Sequence, residues 1–444
     1  MTFALGVAVF VLGLLVSIIL HEIGHLVPAK RFGVRVSEFF AGFGPVLVAR
    51  RRGETTYGIK AIPLGGYVRM VGMFAPARGT AATGQGTGIG TAAGPDAGAA
   101  RGSSLVAEAR QQSLAEIRPG EEHRAFYALS VPKKLVIMLG GPVMNLLIAI
   151  VLITVVLTAF GRPVLTTTLG NVQPCLSDAG DCEAADAPSP AALGGLEVGD
   201  RIVSWAGQSV ASWPDIPEAI ATHGARPATV RIERDGQPLT LTVVPELVDR
   251  PVASGGEVVT DAAGNPVTRP QPYVGIGPSA ALQPQPLSEA PAVIGQAVGQ
   301  TFHIVATLPQ RLAAIANAAF GDGERDQGVV GIVGVGRFAG EIASIDSSAY
   351  GLKERTADML NLLASLNLAL FVFNLIPLLP LDGGHIAGAL WEGLRRAWAR
   401  LRGRADPGPV DVARALPLTY VVLLVMVGMS LLLAYADIVT PVSF

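Results

Sequence analysis

The sequence predicts an α-helical polytopic membrane protein with four transmembrane helices, an exported β-rich domain and a membrane-associated β-hairpin. Composition is the first reason: of 444 residues, 50% are hydrophobic and only 15% are charged, whereas about a quarter are charged in soluble proteins. Hydropathy is the second, because a membrane-spanning helix needs about 20 mostly apolar residues. Four stretches meet that need, and they are residues 3–20, 135–160, 359–379 and 417–435.

Basic residues on two loops predict the orientation of these spans. Lys30, Arg31 and Arg35 follow the first stretch, and an arginine-rich loop at 395–404 separates the third from the fourth. Because loops rich in Lys and Arg stay in the cytoplasm, the amino terminus and residues 161–355 are expected on the outer side. No basic residue precedes the first stretch and no small-residue cleavage site follows it, so we interpret it as a retained span and not as a signal peptide.

Charge, cysteine content and glycine patterns argue against several other classes. A formal net charge of −2 gives no global cationic field for nucleic acid. Two cysteines are too few for a disulfide-dense scaffold or a Cys-rich zinc module. The glycines at 86–90 follow no apolar strand, and those at 334–336 are predicted outside the membrane, so no nucleotide site is expected.

The patterns divide the chain into successive segments. They are a first transmembrane helix with a His-Glu motif (1–30), a cytoplasmic loop (31–133), a second transmembrane helix (134–160), an exported β-rich domain (161–280), an exported amphipathic and re-entrant segment (281–356), a third transmembrane helix with an Asp-Gly motif (357–390), a basic cytoplasmic loop (391–413), and a fourth transmembrane helix with a tail (414–444).

Two features stand out inside the first cytoplasmic loop. Residues 56–70 alternate apolar and polar side chains around Leu64-Gly65-Gly66, which predicts a β-hairpin at the membrane surface, although an ordinary surface hairpin would have the same pattern. Residues 79–118 begin with a run of Gly, Ala and Thr that has few large apolar groups, so this stretch is expected to be a flexible linker.

Cys175 and Cys182 lie in the part of the chain that we expect outside the membrane. An oxidising compartment favours a disulfide between them, and the short loop that they would close has little apolar content to order it otherwise. Two free thiols are the alternative.

The sequence His21-Glu22-Ile23-Gly24-His25 carries the predicted chemistry. Residues four apart share one face of a helix, so two imidazoles could bind one metal, while Glu22 beside them could deprotonate a water molecule. Paired histidines on a helix often have no such role. At the end of a membrane span, however, each ionisable group costs up to about 2.5–3.5 kcal/mol, and a bound metal would compensate that cost.

A third metal ligand is expected elsewhere, since catalytic zinc usually has three protein ligands and an open position. Asp382 is the best candidate because it directly follows the third apolar stretch and precedes two glycines. A plain turn at the membrane surface is the alternative. His21 lies roughly 27 Å of helix after residue 3 and Asp382 roughly 35 Å after residue 359, so both should reach the same edge of a core about 30 Å thick. Such a pocket would suit hydrolysis of a peptide bond that enters from the lipid.

At this point the sequence resembles the site-2 proteases, which are intramembrane zinc metalloproteases. Several motifs carry the resemblance, and they lie at 21–25 (HEIGH), 42–45 (GFGP), 64–67 (LGGY), 141–145 (GPVMN), 195–202 (GLEVGDRI, similar to a PDZ domain) and 374–383 (Asn-x-x-Pro-x-x-x-x-Asp-Gly). The resemblance covers most of the chain outside the expected linker at 79–118. The bacterial branch that cleaves membrane-bound anti-sigma factors, after another protease has shortened them, is the most similar.

The resemblance implies one zinc ion with His21, His25 and Asp382 as ligands and Glu22 as general base. It also implies that Asn374, Asn145 and the Leu64-Gly65-Gly66 segment contact the substrate or the transition state, although Asn145 could instead form a helix–helix hydrogen bond. The expected partners are single-pass membrane proteins and the lipid bilayer, and the expected location is the bacterial cytoplasmic membrane. Only one PDZ-like signature is present.

Two other functions remain open from the residues alone. One is a non-enzymatic membrane receptor or chaperone that binds exported peptides, with a structural metal site, and the other is a zinc transporter. Neither needs a base between the two histidines, so the presence of Glu22 favours the protease.

Overall fold

The protein is described by a computed structural model that covers residues 2–76, 97–176, 182, 187–251, 253–254, 257–258, 266–321, 328–346 and 350–442. The chain divides into two compact units. One consists of Met1–Thr158 together with Pro286–Phe444, and the other is Ala159–Gln285. We call them the helical unit and the β-rich unit.

The elements are numbered in chain order. The α-helices are α1 (Thr2–Arg31), α2 (Ala97–Ala115), α3 (Val131–Val155), α4 (Pro190–Leu193), α5 (Asp215–His223), α6 (Ala290–Ala306), α7 (Leu308–Phe320), α8 (Ile332–Ser344), α9 (Leu352–Phe373), α10 (Asp382–Leu401) and α11 (Leu416–Val439). The strands are β1 (Val36–Arg52), β2 (Thr55–Met70), β3 (Arg162–Val172), β4 (Arg201–Trp205), β5 (Gln208–Ser209), β6 (Ala228–Arg234), β7 (Gln237–Val243), β8 (Glu246–Pro251), β9 (Ala253–Ser254), β10 (Glu257–Val258), β11 (Thr268–Tyr273) and β12 (Ile276–Gln283).

Four helical segments in the described part of the chain are long and apolar enough to cross a membrane: Thr2–Arg31, Val131–Phe160, Leu352–Phe373 and Val412–Val439. They contain three of the predicted spans completely and the third, 359–379, as far as Phe373, which fits a polytopic helical membrane protein. Helix α3 continues through a π-helical turn at Val156–Phe160, and a 3-10 turn precedes α11.

The third span differs from its prediction at its carboxyl end. Helix α9 ends at Phe373, and the apolar residues that follow form a turn because Pro377 and Pro380 cannot donate the hydrogen bonds that continue a helix. Asp382 is therefore the first residue of α10 and not the end of a span. Helix α10 also reaches Leu401, so much of the predicted basic loop at 391–413 is helical.

The predicted hairpin is longer than residues 56–70, and its turn lies elsewhere. Strands β1 and β2 pair in antiparallel fashion, and Gly53, with a φ of +64°, forms the turn with Glu54. The Leu64-Gly65-Gly66 sequence lies inside β2. Both positions contain a glycine that can form a turn, and the alternating pattern alone did not distinguish them.

The predicted linker at 79–118 is helical in its second half, and residues 77–96 lie outside the described part. Helix α2 (Ala97–Ala115) forms because its carboxyl-terminal half is rich in Ala, Leu, Glu, Gln and Arg, which favour helices. The Arg110 guanidinium pairs with the Asp411 carboxylate at 2.5 Å, which attaches α2 to the segment before α11.

The described residues of 281–356 include α6, α7, α8 and the beginning of α9, so the glycine-rich part of the predicted re-entrant segment is helical. The glycines at 331–336 begin α8, whose Gly334 amide donates a hydrogen bond of 2.9 Å to the buried Asp437 carboxylate. Helix α8 packs so closely against α1 that a Cβ atom added to Gly6 would clash with Ala339 and Ala343. Small residues thus support helix packing here, a use that glycine content alone does not distinguish from a loop.

The β-rich unit confirms the prediction of a β-rich domain. Its main sheet has the strand order β12-β3-β4-β6-β7, with β5 paired to β4. Its core contains the fully buried Ile202, Trp205, Ile216 and Val230. Cys175 and Cys182 form a disulfide with their Cα atoms 5.9 Å apart.

Candidate metal centre

The two predicted histidine ligands lie one helical turn apart on α1. The His21 and His25 ring centroids are 4.9 Å apart, and the rings meet edge to face. Their spacing of four residues places both side chains on the same side of the helix, where α3 and α10 also come close.

Asp382 meets the two histidines at the beginning of α10. Its Oδ2 atom lies 3.4 Å from His21 Nε2 and 3.2 Å from His25 Nε2, while the two Nε2 atoms are 3.3 Å apart. The three atoms form a nearly equilateral triangle. Ligands at about 2.0–2.2 Å from a tetrahedral zinc ion lie roughly 3.3–3.6 Å from one another, so the sides of the triangle are within about 0.1 Å of the separations that zinc requires.

The hydrogen bond of His25 also suits a metal ligand. His25 Nδ1 lies 2.8 Å from the Ile137 carbonyl oxygen, which can only accept, so Nδ1 carries the proton and Nε2, beside His21 Nε2 and Asp382 Oδ2, keeps a lone pair for a metal ion. Asp382 Oδ2 is buried with no hydrogen-bond donor in the described part of the chain. A carboxylate oxygen without a donor, beside two imidazole nitrogens, is the donor set of a metal site.

Glycines allow α3 to approach the histidines. A Cβ atom on Gly140 would clash with the Gly24 carbonyl group, so the two helices touch through their backbones. A Cβ atom on Gly141 would lie 2.6 Å from His21 Cε1 and 2.7 Å from His21 Nε2, and closer still to His25 Nε2. The position of Gly141 therefore belongs to the wall of the metal site.

A compact turn between α9 and α10 positions Asp382. The Gly383 amide donates a hydrogen bond of 2.7 Å to the Asn374 carbonyl oxygen, which closes the turn. Gly383 has no room for a Cβ atom, because one would overlap the Ile376 carbonyl group. The Asp-Gly sequence thus combines a candidate ligand with a close backbone approach.

Glu22 lies in the cavity that contains the three ligand atoms. The cavity has a volume of about 340 Å³, and Asn374, Gly66, Tyr67, Met138 and His385 contribute to its wall. Glu22 is 9% exposed. A Cβ atom on Gly66 would lie 2.9 Å from Glu22 Cγ, so strand β2 passes directly beside the carboxylate.

The remaining predicted site residues take different places. Asn374 lines the cavity. Asn145 is fully buried, and neither of its amide atoms has a hydrogen-bond partner among the described residues. The space beside Gly65 is filled by the Phe43 ring, and the Leu64 side chain lies outside the described part.

His385 is a cavity residue that the sequence argument did not assign. It follows Asp382 by three residues on α10, so it occupies the same side of the helix. The sequence Asp-Gly-Gly-His contained the signal, since a second ionisable residue at helical spacing from a candidate ligand is uncommon near a span.

Two imidazoles and a carboxylate at zinc-ligand spacing, with a further carboxylate in the same cavity, define a hydrolytic metal centre in a helical membrane protein. Residues 9–405 match the model of peptidase family M50. The chain belongs to this family.

Named relatives agree with this assignment. The chain is 33% identical to the zinc metalloprotease Rip1 of Mycobacterium tuberculosis over 458 residues, which covers 100% of this chain and 99% of the relative. It is 31% identical to Rip1 of Mycolicibacterium smegmatis over 460 residues, with the same coverage. A putative zinc metalloprotease of Brucella suis is 28% identical over 387 residues, covering 87% of this chain and 85% of the relative. The chain is therefore a zinc metalloprotease, as the sequence predicted.

Proposed function

We propose that this protein is an intramembrane endopeptidase in which His21, His25 and Asp382 bind one zinc ion and Glu22 is the general base. The triangle of ligand atoms, with sides of 3.2–3.4 Å, is the observation that supports the assignment most strongly. The transporter alternative gives Glu22 no role, whereas the protease requires a proton acceptor in this cavity.

The residues of the cavity suit peptide hydrolysis. When bound, zinc polarises a substrate carbonyl group and lowers the pKa of water. Glu22 takes the proton from the attacking water and transfers it to the leaving nitrogen. Its burial keeps bulk water from competing for that proton. Asn374 lines the cavity, and we assign its side-chain amide the role of a hydrogen-bond partner for the substrate.

Strand β2 is the proposed binding surface for the substrate near the scissile bond. Gly66 lies against Glu22, so a peptide beside this part of β2 would run past the base. An extended peptide can pair with exposed strand groups regardless of its side chains. We assign this role to the Leu64-Gly65-Gly66 segment as a backbone surface.

The proposed substrates are single-pass membrane proteins, in particular anti-sigma factors already shortened by another protease. This proposal rests on the resemblance of the motifs and on the four spanning segments, which place the metal centre in a membrane protein. The arginines near 395–404 support an orientation with the metal centre toward the cytoplasm.

We assign the β-rich unit to the exported side and interpret it as a PDZ-like domain that restricts access. Support comes from its independent core and from a groove of about 340 Å³ between α5 and the β11–β12 region. A gate excludes substrates with bulky exported parts, whereas a recognition module would bind peptide ends.

A trapping experiment tests the proposed function. Glu22→Gln should keep the metal ligands but lose the base, so a co-expressed substrate should remain bound and uncut, whereas wild type should release fragments cut within the membrane span. Glu289→Gln, directly before α6, is a control that removes one exposed carboxylate outside the cavity. Normal cleavage by Glu22→Gln, or cut sites only in soluble segments, would contradict the proposal.

A further inference from the structure

Helix α10 lies at the membrane surface between two spans. It follows the span Leu352–Phe373 and precedes the span Val412–Val439. Glu392, Arg395, Arg396 and Arg400 make α10 itself too charged to cross a bilayer. The end of α9 and the start of α11 therefore share one side of the membrane, and α10 lies on that side.

A buried ion pair fixes which face of α10 points toward the protein. Lys134 Nζ, on α3, lies 2.8 Å from Glu392 Oε2 and 3.0 Å from Glu392 Oε1, and both side chains are buried. The Val410 amide donates a further hydrogen bond of 3.1 Å to Glu392. These contacts fix the rotation of α10 about its axis.

The opposite face of α10 is a row of large exposed side chains. Its members are Leu390 (56% exposed), Trp391 (55%), Leu394 (58%), Trp398 (55%) and Leu401 (84%). Their spacing places them on one side of the helix. Five large apolar side chains that are exposed side by side, two of them tryptophans, mark a contact with a membrane or another molecule.

Arginines border this apolar row. Arg395, Arg400, Arg402 and Arg404 form no ion pair with any carboxylate in the described part of the chain. The Arg402 guanidinium lies over the Trp398 ring, 4.3 Å from its centroid. Trp391, Leu394, Arg395, Trp398 and Arg404 line a cleft of about 470 Å³ that contains no acidic residue. The cleft thus combines an apolar floor with a cationic edge.

We propose that this cleft binds an anionic phospholipid, with the phosphate at Arg395 and Arg404 and the upper acyl chains on Trp391 and Trp398. Guanidinium groups bind phosphate through paired donors, and tryptophan prefers the boundary between headgroups and acyl chains. A lipid fits better than an acidic protein because α10 joins two membrane spans directly, which keeps its apolar row at the depth where lipid is present.

Fluorescence quenching by brominated lipids tests the proposal in the full-length protein. Bromine quenches a tryptophan that it touches, and among the four tryptophans only Trp391 and Trp398 belong to the helical unit. In phosphatidylcholine vesicles, a small fraction of brominated phosphatidylglycerol should quench more strongly than the same fraction of brominated phosphatidylcholine. Replacing both tryptophans with phenylalanine should abolish the difference.

Arginine variants identify the site. Each basic residue near an anionic surface contributes about a factor of five in affinity, so the combination Arg395→Gln, Arg402→Gln and Arg404→Gln should weaken the preference on the order of 100-fold. The combination Arg50→Gln, Arg51→Gln and Arg52→Gln removes the same charge from exposed positions on β1 and should retain the preference. Unchanged melting temperatures would show that both variants are folded.

Three results would overturn the proposal: equal quenching by both lipids, an equal loss of preference in the two arginine variants, or no quenching of Trp391 and Trp398 by either lipid. The last would mean that another molecule covers the row. None of these measurements depends on zinc or on cleavage, so this proposal and the proposed protease function can fail separately.

Discussion

Gly141 lies where α3 passes the two histidines, and Gly141→Ala should damage the metal centre while leaving most of the fold intact. The added methyl group would lie 2.7 Å from His21 Nε2 and closer still to His25 Nε2, whereas an ordinary contact needs at least 3.4 Å, so one side must move by at least 0.7 Å. Metal sites tolerate deviations of about 0.2 Å in their ligand distances. Overpacking typically costs about 1–3 kcal/mol.

The overpacking in Gly141→Ala can displace either the two histidines or the backbone of α3, and the displaced part determines the loss of zinc affinity. If it falls mainly on the histidines, zinc affinity should drop by about 5-fold to more than 100-fold, because about 1.4 kcal/mol corresponds to a factor of ten. Competition with a fluorescent zinc chelator would measure the affinity, and thermal unfolding in detergent would measure the fold. Gly428→Ala is the matched control, because a Cβ atom on Gly428 of α11 meets nothing within 4 Å. Wild-type zinc affinity in Gly141→Ala would refute the packing argument.

Three further predictions concern other parts of the molecule. Asn145→Leu should leave the melting temperature unchanged or raise it, because the replaced amide is buried without a partner among the described residues. If this amide contacts the substrate, the same variant should lower the rate of cleavage. A large loss of stability would instead indicate a structural hydrogen bond. Burial raises the pKa of the Asp200 carboxyl, but hydrogen bonds from Arg234 and from the Glu197 amide outweigh that effect and hold the pKa below its usual value. This carboxylate therefore stabilises the β-rich unit above about pH 4, and its contribution disappears as the pH falls through the lowered pKa. Asp200→Asn should therefore flatten the acid-side decrease in melting temperature and destabilise the unit by about 1–3 kcal/mol at neutral pH, whereas exposed Asp235→Asn should do neither. Replacing Ala159–Gln285 with a short linker should make full-length substrates cleavable if the β-rich unit is a gate, and loss of cleavage of shortened substrates by a stably expressed, zinc-containing deletion would contradict the gate.

The candidate ligands could be predicted because their chemistry is local in the sequence. His21 and His25 are four residues apart, so they share a helical face wherever the helix begins or ends. Asp382 follows a long apolar stretch, which is expected to end near a membrane surface. Because the first and third spans cross the membrane in the same direction, the residues at their carboxyl ends were expected to lie close together. Side-chain type and spacing were sufficient for this step.

The turn between α9 and α10 was harder to predict. Residues 374–381 are as apolar as the span before them, so hydropathy continued the helix, whereas Pro377 and Pro380 end it. Hydropathy measures transfer from water and does not register the missing amide donors. The same limit hid the position of His385 in the cavity wall, because that position depends on where α10 begins.

Glycine content misled in two other places. The glycines at 331–336 gave no sign of a helix, yet these residues begin α8, which packs closely against α1. Gly53 and the Leu64-Gly65-Gly66 sequence could both have formed the hairpin turn. A glycine allows both a turn and a close contact, and the sequence does not say which neighbour will be present.

X-ray absorption at the zinc edge would identify the atoms that bind the metal. The wild-type protein is predicted to contain one zinc ion with two imidazole nitrogens and oxygen ligands at about 2.0–2.2 Å. Glu22→Gln should give the same spectrum without peptide cleavage, and Asp382→Ala should lose zinc or one oxygen ligand. A sulfur ligand, a single imidazole, or an unchanged spectrum and zinc content in Asp382→Ala would contradict the assignment of His21, His25 and Asp382.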